Sequence, residues 1–147
     1  MEDAKLAILA ARGRIVIGAV AVVAPGLAAR VMGGRRGSEG VAPALARMLG
    51  ARDVALGLGV VIALDRGAPV RGWLEGSALS DTVDCLACVA AREQMPPRAS
   101  RAAAGLGAAS AALGMFLSRR LDPPPPAHPG QPEAVATGHP PESTAGE

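Results

Sequence analysis

The sequence predicts an all-α protein, a four-helix transmembrane bundle with short loops and a disordered Pro-rich C-terminal tail. Half of the 147 residues are hydrophobic, yet Trp73 and Phe116 are the only aromatic ones. Four apolar stretches of similar length are separated by short breaks rich in Gly, Pro and Arg. The apolar residues are mainly Ala, Val, Leu and Gly, which suit closely packed helices in lipid better than a core stabilised by water exclusion.

The first predicted helix covers residues 4–24. It is followed by Pro25, which interrupts the helical pattern, so residues 27–32 form at most a short interfacial extension. Residues 15–29 carry no charge and are rich in Val and Ala. Two arginines precede this apolar run, as in a signal peptide. Because Pro25 fits cleavage poorly and further apolar stretches follow, we interpret the segment as a membrane helix.

The other three helices are predicted at residues 43–64, 73–91 and 102–118. Pro43 suits a first helical turn, because its nitrogen has no hydrogen to donate and its φ is already helical. The fourth helix is a run of residues without any charge, followed by two arginines. All four lengths are close to the ~20 residues that cross a hydrocarbon core at ~1.5 Å per residue.

The last 26 residues differ from the rest in composition. They hold eight of the 13 prolines and four acidic residues, and no Lys or Arg. Their apolar residues show no periodicity and bury too little surface to offset the entropy of ordering. We therefore predict a four-helix membrane domain at residues 1–121 and a disordered, acidic, Pro-rich tail at residues 122–147.

The predicted location is the cell membrane, with several passes and the lipid bilayer as partner. Basic residues are divided almost evenly between the two sides, so the positive-inside rule favours cytoplasmic termini by a small margin. In the fourth helix, Gly107, Ala111 and Gly114 form a small-residue face, which is typical of helix packing and of homo-oligomer contacts. The scarcity of aromatic residues argues against a nucleic-acid partner bound by base stacking.

Charged residues near the middle of two helices are the most informative feature. Arg52 and Asp53 lie at the midpoint of the second helix, and Asp81 and Asp84 flank that of the third. Helices joined by a short loop run antiparallel, so these midpoints meet at the same depth. A charge at the centre of a membrane costs roughly 2.5–3.5 kcal/mol. We therefore expect these side chains to pair with one another.

The predicted buried charge network consists of Arg14, Arg47, Arg52, Asp53, Asp81 and Asp84. The two aspartates of the third helix are three residues apart and share a face. Arg52 is placed to fork onto one of them or to bridge both. Arg14 or Arg47 is expected to pair with Asp53. Counting Arg47 and Arg52 against three aspartates leaves one excess acid, so either Arg14 joins the network or one carboxyl is protonated.

Four side chains of the third helix share one face with metal-ligand spacing: Asp81, Asp84, Cys85 and Cys88. A single Cys-x-x-Cys in mid-helix lacks the second pair that marks a zinc site, so we predict no metal and no cofactor. The two histidines, His128 and His139, both lie in the tail. The serines therefore have no histidine partner, and we predict no catalytic residue and no enzyme activity.

These residues together resemble a family. The pattern consists of Arg14 with Gly18, Pro25, residues 47–53 with Gly57, Arg71, Trp73 and residues 81–84. Across residues 10–118 the chain resembles the small, uncharacterised four-helix membrane proteins of actinobacteria, with Gly-x-Arg-Asp in the second helix and Asp-x-x-Asp in the third. The resemblance implies a compact membrane bundle and brings no activity with it.

The sequence leaves three functional interpretations open. The first is a small integral membrane protein, a structural or interaction component built on the buried Arg–Asp network. The alternative is a small proton- or ion-coupled transporter component that uses Asp81 and Asp84. The second alternative is a soluble, Ala-rich helical bundle, in which these charges lie at an ordinary surface or interface.

Overall fold

A computed structural model describes residues 1–34 and 40–121 of the chain. In these two segments the chain forms α-helices and no strand, which confirms the all-α prediction. The helices are α1 (Glu2–Val23), α2 (Pro25–Gly33), α3 (Ala42–Asp65), α4 (Arg71–Ala90) and α5 (Pro97–Leu121). The predicted disordered tail at residues 122–147 lies outside the described residues, as do residues 35–39.

The prediction of four helices is wrong by one, because the described chain has a fifth, α2. Ala24 leaves the helical conformation, with φ −124° and ψ 58°, and Pro25 then starts a new helix of nine residues. Proline has no N–H for the preceding turn but fits the first turn of a helix. The predicted extension at residues 27–32 is therefore the greater part of a separate helix.

The predicted boundaries of the long helices are close, and the largest difference concerns α5. It begins at Pro97 rather than residue 102 and ends at Leu121 rather than residue 118. The apolar pattern marks only the central part of this helix, and its ends are polar turns rich in Arg. Arg119 and Arg120 lie in the last turn, where cations interact favourably with the helix dipole.

Helices α1 and α3 form the first of two closely packed pairs. A methyl group built on Gly18 would lie 2.6 Å from the carbonyl oxygen of Gly50, and one on Gly57 would lie 2.8 Å from that of Ala11. The order of these contacts shows that the two helices are antiparallel. At Gly18 and Gly50 both residues lack a side chain, so the two backbones touch there, as in membrane helix packing.

Helices α4 and α5 form the second pair in the same way. A methyl group on Gly107 would lie 3.0 Å from the carbonyl oxygen of Asp81, and one on Gly114 would lie 3.2 Å from that of Leu74. These helices are antiparallel too. The four long helices therefore run up and down in chain order, and short α2 packs mainly on α3. The two pairs contact each other far less extensively than the helices within each pair.

The interior contains small side chains, and most of the large apolar ones face outward. Five of the nine buried apolar residues are alanines, and the largest fully buried side chains are Leu117, Val70 and Ser118. By contrast, 24 large apolar side chains among the described residues are exposed, and they occur on every helix. A bundle stabilised by water exclusion has the reverse distribution.

One described helix, α1, is long and apolar enough to cross a membrane by length and composition. Core helices of soluble proteins and signal sequences meet the same criterion, so this finding leaves the predicted four-span bundle unconfirmed. Only 17% of the most apolar part of α1 is buried within the protein, however. Most of the apolar surface of α1 is therefore not covered by the other residues that the structure describes.

Candidate functional site

Each long helix contributes a polar side chain at its mid-length, and these side chains meet between the two helix pairs. They are Arg14 of α1, Arg52 and Asp53 of α3, Asp81 and Asp84 of α4, and Ser110 of α5. The up-and-down arrangement brings the middles of all four helices to the same height. We call the five charged members of this group the junction network.

Arg14 is the centre of the junction network. Its Nη1 donates to Asp53 Oδ1 at 2.9 Å, and its Nη2 donates to Asp81 Oδ2. Nη2 also lies 3.5 Å from the hydroxyl of Ser110. One guanidinium group therefore links all four long helices. The side chains of Arg14 and Asp81 are only 12% and 11% exposed, so this ion pair is removed from water.

Arg52 forms the second half of the junction network, nearer the surface. Its two terminal nitrogens donate to the two oxygens of Asp84, at 3.2 and 2.6 Å, in a forked arrangement. Nη2 also donates to Asp53 Oδ1 at 3.2 Å. Asp53 Oδ1 thus accepts from both arginines and connects the two halves. The Arg52 and Asp84 side chains are 33% and 38% exposed, so water weakens this pair.

Arg47 is the one predicted network member that lies elsewhere. Its Nε donates to the backbone carbonyl of Val22 at 3.1 Å, at an exposed position. Five residues separate it from Arg52, and at 3.6 residues per turn the two side chains leave α3 in nearly opposite directions. Arg47 therefore satisfies one of the last carbonyls of α1, which have no partner within that helix. Its placement in the network was wrong.

The junction network carries one excess negative charge when its carboxyls are ionised. Arg14 joins the network while Arg47 leaves it, so two arginines still face three aspartates. Isolated charge in a site of low polarity costs free energy unless it is compensated. The arrangement is therefore suited to accept a further positive charge.

A cavity of about 540 Å³ lies between the two helix pairs, beside the junction network. Most of its wall is apolar and comes from α1 and α5. The network side chains on this wall are Arg14, Asp53, Asp81 and Asp84, whereas Arg52 is not part of it. The polar middle of the bundle therefore faces an open apolar space.

The cysteines of α4 do not form a metal site with the neighbouring aspartates. In residues 1–34 and 40–121, no three His, Cys, Asp or Glu side chains come close enough to hold a metal ion. Asp81 and Asp84 instead bind arginines, and Cys85 packs against Gly107 of α5. Both Cys85 and Cys88 are free thiols. Shared helical spacing was thus not sufficient to bring the four candidates together as ligands.

The sequence analysis missed two serines of the site. Ser110 contacts Arg14, and Ser77 is buried on the cavity wall one turn before Asp81. A signal for Ser110 was present, because it is a polar residue at the middle of a run without any charge. No such signal marks Ser77, because α4 is polar at many positions.

No protein-family model, curated protein or solved structure matches this chain.

Proposed function

We propose that this chain is a small integral membrane protein whose four long helices cross the bilayer, with the junction network holding two helix pairs together. Its role is structural, as a binding or assembly component rather than an enzyme. The proposal rests on one observation: most large apolar side chains of the described residues face outward, while the inside consists mainly of glycine, alanine and paired charges.

This distribution fits the physics of helix packing in lipid. Lipid tails are as apolar as leucine, so burying leucine between helices gains little free energy there. Close backbone contact at small residues and polar contacts between helices stabilise the bundle instead. The glycine contacts within each pair and the arginine contacts between the pairs are these two kinds of interaction. In water, the same surface would be an extended apolar patch.

The charges of the four long helices mostly fit such a location. Several arginines lie at helix ends or in the turns beside them, including Arg66, Arg92 and Arg119. The central charges of α3 and α4 are paired inside the bundle. Arg12 fits least well, because it is exposed near the middle of α1. In a bilayer its long side chain would extend toward the headgroups while its methylene groups stay in the apolar region.

The junction network gives the bundle an order of assembly. Helix α4 carries Asp81 and Asp84 near its middle, and each would cost roughly 2.5–3.5 kcal/mol if it entered the bilayer unpaired. Their partners, Arg14 and Arg52, belong to α1 and α3. Helix α4 therefore requires the first helix pair for stable insertion, and the network selects which helices associate.

The first experiment is an alkaline carbonate wash of membranes from cells that express the tagged full chain. We expect the protein to remain in the membrane pellet, because carbonate releases peripheral proteins but not spanning ones. Release into the supernatant would overturn the proposal. The second alternative, a soluble Ala-rich bundle, would then take its place.

A matched pair of charge insertions tests the orientation of the surface directly. Leu79 is exposed at the middle of α4, and Val41 is exposed at the start of α3. In lipid, Leu79→Arg places a charge at the membrane centre, at a cost of ~2.5–3.5 kcal/mol, whereas Val41→Arg lies near the headgroups. We expect Leu79→Arg alone to reduce the amount of inserted protein. Equal yields of the two variants would contradict a lipid-facing α4.

A proton- or ion-coupled transporter component is the second candidate function, and the cavity favours it. Asp81 and Asp84 lie on the cavity wall at mid-height, where a permeating proton or cation would meet them. The test is flux in proteoliposomes that enclose a pH-sensitive dye, with an imposed pH gradient. Under this hypothesis Asp84→Asn abolishes the flux while the fold is retained, and Arg47→Ala leaves it unchanged.

A further inference from the structure

The cavity between the helix pairs has the dimensions of a ligand site. This space is about 540 Å³ and is open to the outside, where Ala10, Gly13 and Ala109 on its wall are exposed. Ligand sites are typically ~300–1,000 Å³. The space exists because the facing positions of α1 and α5 are largely small, with Ala10, Gly13, Ala103 and Ala109 on its wall. A methyl group built on Gly13 would meet nothing within 4 Å.

The charges on the wall favour a cationic ligand. Three carboxylates and one guanidinium line the cavity, those of Asp53, Asp81, Asp84 and Arg14. Arg14 already binds two of these carboxylates, so it is not available to an anion. The whole junction network, Arg52 included, keeps one excess negative charge. An anion would be repelled and a neutral apolar molecule would leave this charge uncompensated.

Acceptor atoms without donors lie on the same wall. Ser77 is 8% exposed and lines the cavity, and its hydroxyl makes no hydrogen bond to any residue in segments 1–34 and 40–121. Asp53 and Asp81 each use one carboxylate oxygen for Arg14, and their second oxygens have no donor among the same residues. Ser77 lies one helical turn before Asp81, so its hydroxyl and that carboxylate face the same region.

We propose that this cavity binds a small amphiphilic organic cation, an apolar body that carries one amine. The amine nitrogen lies beside Asp53 and Asp81 and donates to their second oxygens and to the Ser77 hydroxyl, with the Asp84 carboxylate on the same wall. The apolar body occupies the space between α1 and α5. A hydrogen bond from a charged amine to a carboxylate is among the stronger hydrogen bonds in proteins, and the largely apolar wall around these oxygens limits the competition from water. This site is independent of where the protein resides, so it goes beyond the proposed structural role.

The experiment is a titration of the purified full chain with two fluorescent probes of similar aromatic body. Dansylcadaverine carries a primary amine, and dansylamide does not. We expect dansylcadaverine to bind more tightly than dansylamide by about tenfold or more, because the amine adds one partly buried ion pair. Equal affinity of the two probes, or no binding of dansylcadaverine up to millimolar concentration, would overturn the proposal.

Two matched variants, Asp84→Asn and Glu75→Gln, test whether the excess negative charge of the junction network recognises the ligand. Both acids belong to α4, both bind an arginine, and their side chains are 38% and 39% exposed. Only Asp84 lies on the cavity wall. We expect Asp84→Asn to lower the affinity for dansylcadaverine about tenfold and to leave the affinity for dansylamide unchanged. Glu75→Gln should change neither affinity. If Asp84→Asn binds dansylcadaverine as the unmodified chain does, the excess charge does not recognise the ligand and the proposal fails.

Two further variants keep the test decisive if Asp84→Asn fails to fold. Asp53→Asn removes the excess charge, while its amide oxygen still accepts from Arg14 and Arg52. It should lower the affinity for dansylcadaverine as Asp84→Asn does. Gly13→Leu fills the cavity from a position with free space, and it should reduce the binding of both probes. If Gly13→Leu binds the probes as tightly as the unmodified chain, the probes bind elsewhere, in the detergent or on the surface. That result would overturn the proposal. The membrane proposal stands or falls separately, by the carbonate wash.

Discussion

The contacts within each helix pair and the junction between the pairs are stabilised in opposite ways. Within the pairs, glycines bring backbones into direct contact, and no carboxylate or guanidinium group is among the nearest atoms at these glycines. Asp53 approaches Gly18 through its Cβ and not through its charged group. Between the pairs, five charged side chains meet beside an unfilled space. The first region depends on shape and the second on charge balance.

This difference separates the region that sets the fold from the region in which we propose that a ligand binds. A close-packed glycine contact has no room for added volume and offers no group for chemistry. The junction has a cavity, an excess charge, and hydroxyl and carboxylate oxygens without donors among the described residues. Changes of volume should therefore be most harmful within the pairs, and changes of charge most harmful between them.

The largest expected effect is the loss of the central guanidinium. Arg14→Met leaves the buried carboxylate of Asp81 without a partner among the described residues, which costs about 3–5 kcal/mol of unfolding free energy. The measurement is thermal unfolding in detergent, followed by far-UV circular dichroism. The double variant Arg14→Met with Asp81→Leu removes both charges and should recover more than half of the loss. Unchanged melting of Arg14→Met would show that the junction does not hold the pairs together.

A methyl group in the first pair should have the next largest effect. In Gly18→Ala the new carbon would lie 2.6 Å from the carbonyl oxygen of Gly50, so the two backbones must separate. Overpacking of this kind costs about 1–3 kcal/mol. Gly13→Ala, in the same helix but with open space around it, is the matched control and should keep or increase stability. If both variants melt alike, α1 and α3 are not in backbone contact.

The second pair should tolerate a methyl group better than the first. In Gly114→Ala the closest approach is 3.2 Å, to the Leu74 carbonyl oxygen and the Ala78 side chain, so a small shift relieves it. The helix propensity of alanine, better than that of glycine by about 1 kcal/mol, offsets much of the cost. We expect a smaller loss than for Gly18→Ala, measured by the same melting experiment. Gly105→Ala, which meets nothing within 4 Å, serves as the control.

The smallest effect is expected at the outer half of the junction. Arg52 and Asp84 are about one third exposed, so Asp84→Asn should lower the unfolding free energy by about 1 kcal/mol or less. Arg47→Ala, outside the network, should change it by less than about 0.5 kcal/mol. A loss at Asp84 as large as that at Arg14 would contradict the division of the network into an inner and an outer half.

Much of the helical architecture followed from local patterns. The runs of apolar residues and the Pro and Gly breaks predicted the four long helices within a few residues at most ends. The break at Pro25 was visible, but whether the chain continued as an extension or a new helix depends on packing against α3. The ends of α5 were missed because polar turns continue a helix without continuing its apolar pattern.

The site was only partly predictable. The residue numbers alone place four charged side chains at the middles of α3 and α4: Arg52, Asp53, Asp81 and Asp84. Antiparallel helices of similar length meet at their middles, so these side chains were expected to lie together. The choice between Arg14 and Arg47 did not follow, because it depends on which side of α3 faces α4. Ser77 and the cavity gave no sequence signal, because empty space is a property of two facing helices and not of either one.

The sequence by itself determined that the chain is helical, where most breaks fall, and that opposite charges occupy the centres of its helices. These properties depend on propensity and spacing within one segment. Only the tertiary structure decided that α1 pairs with α3 and α4 with α5, that Arg14 joins the network, and that the space between the pairs stays open. Those outcomes depend on how closely glycines let backbones approach, and on the direction in which each side chain then points.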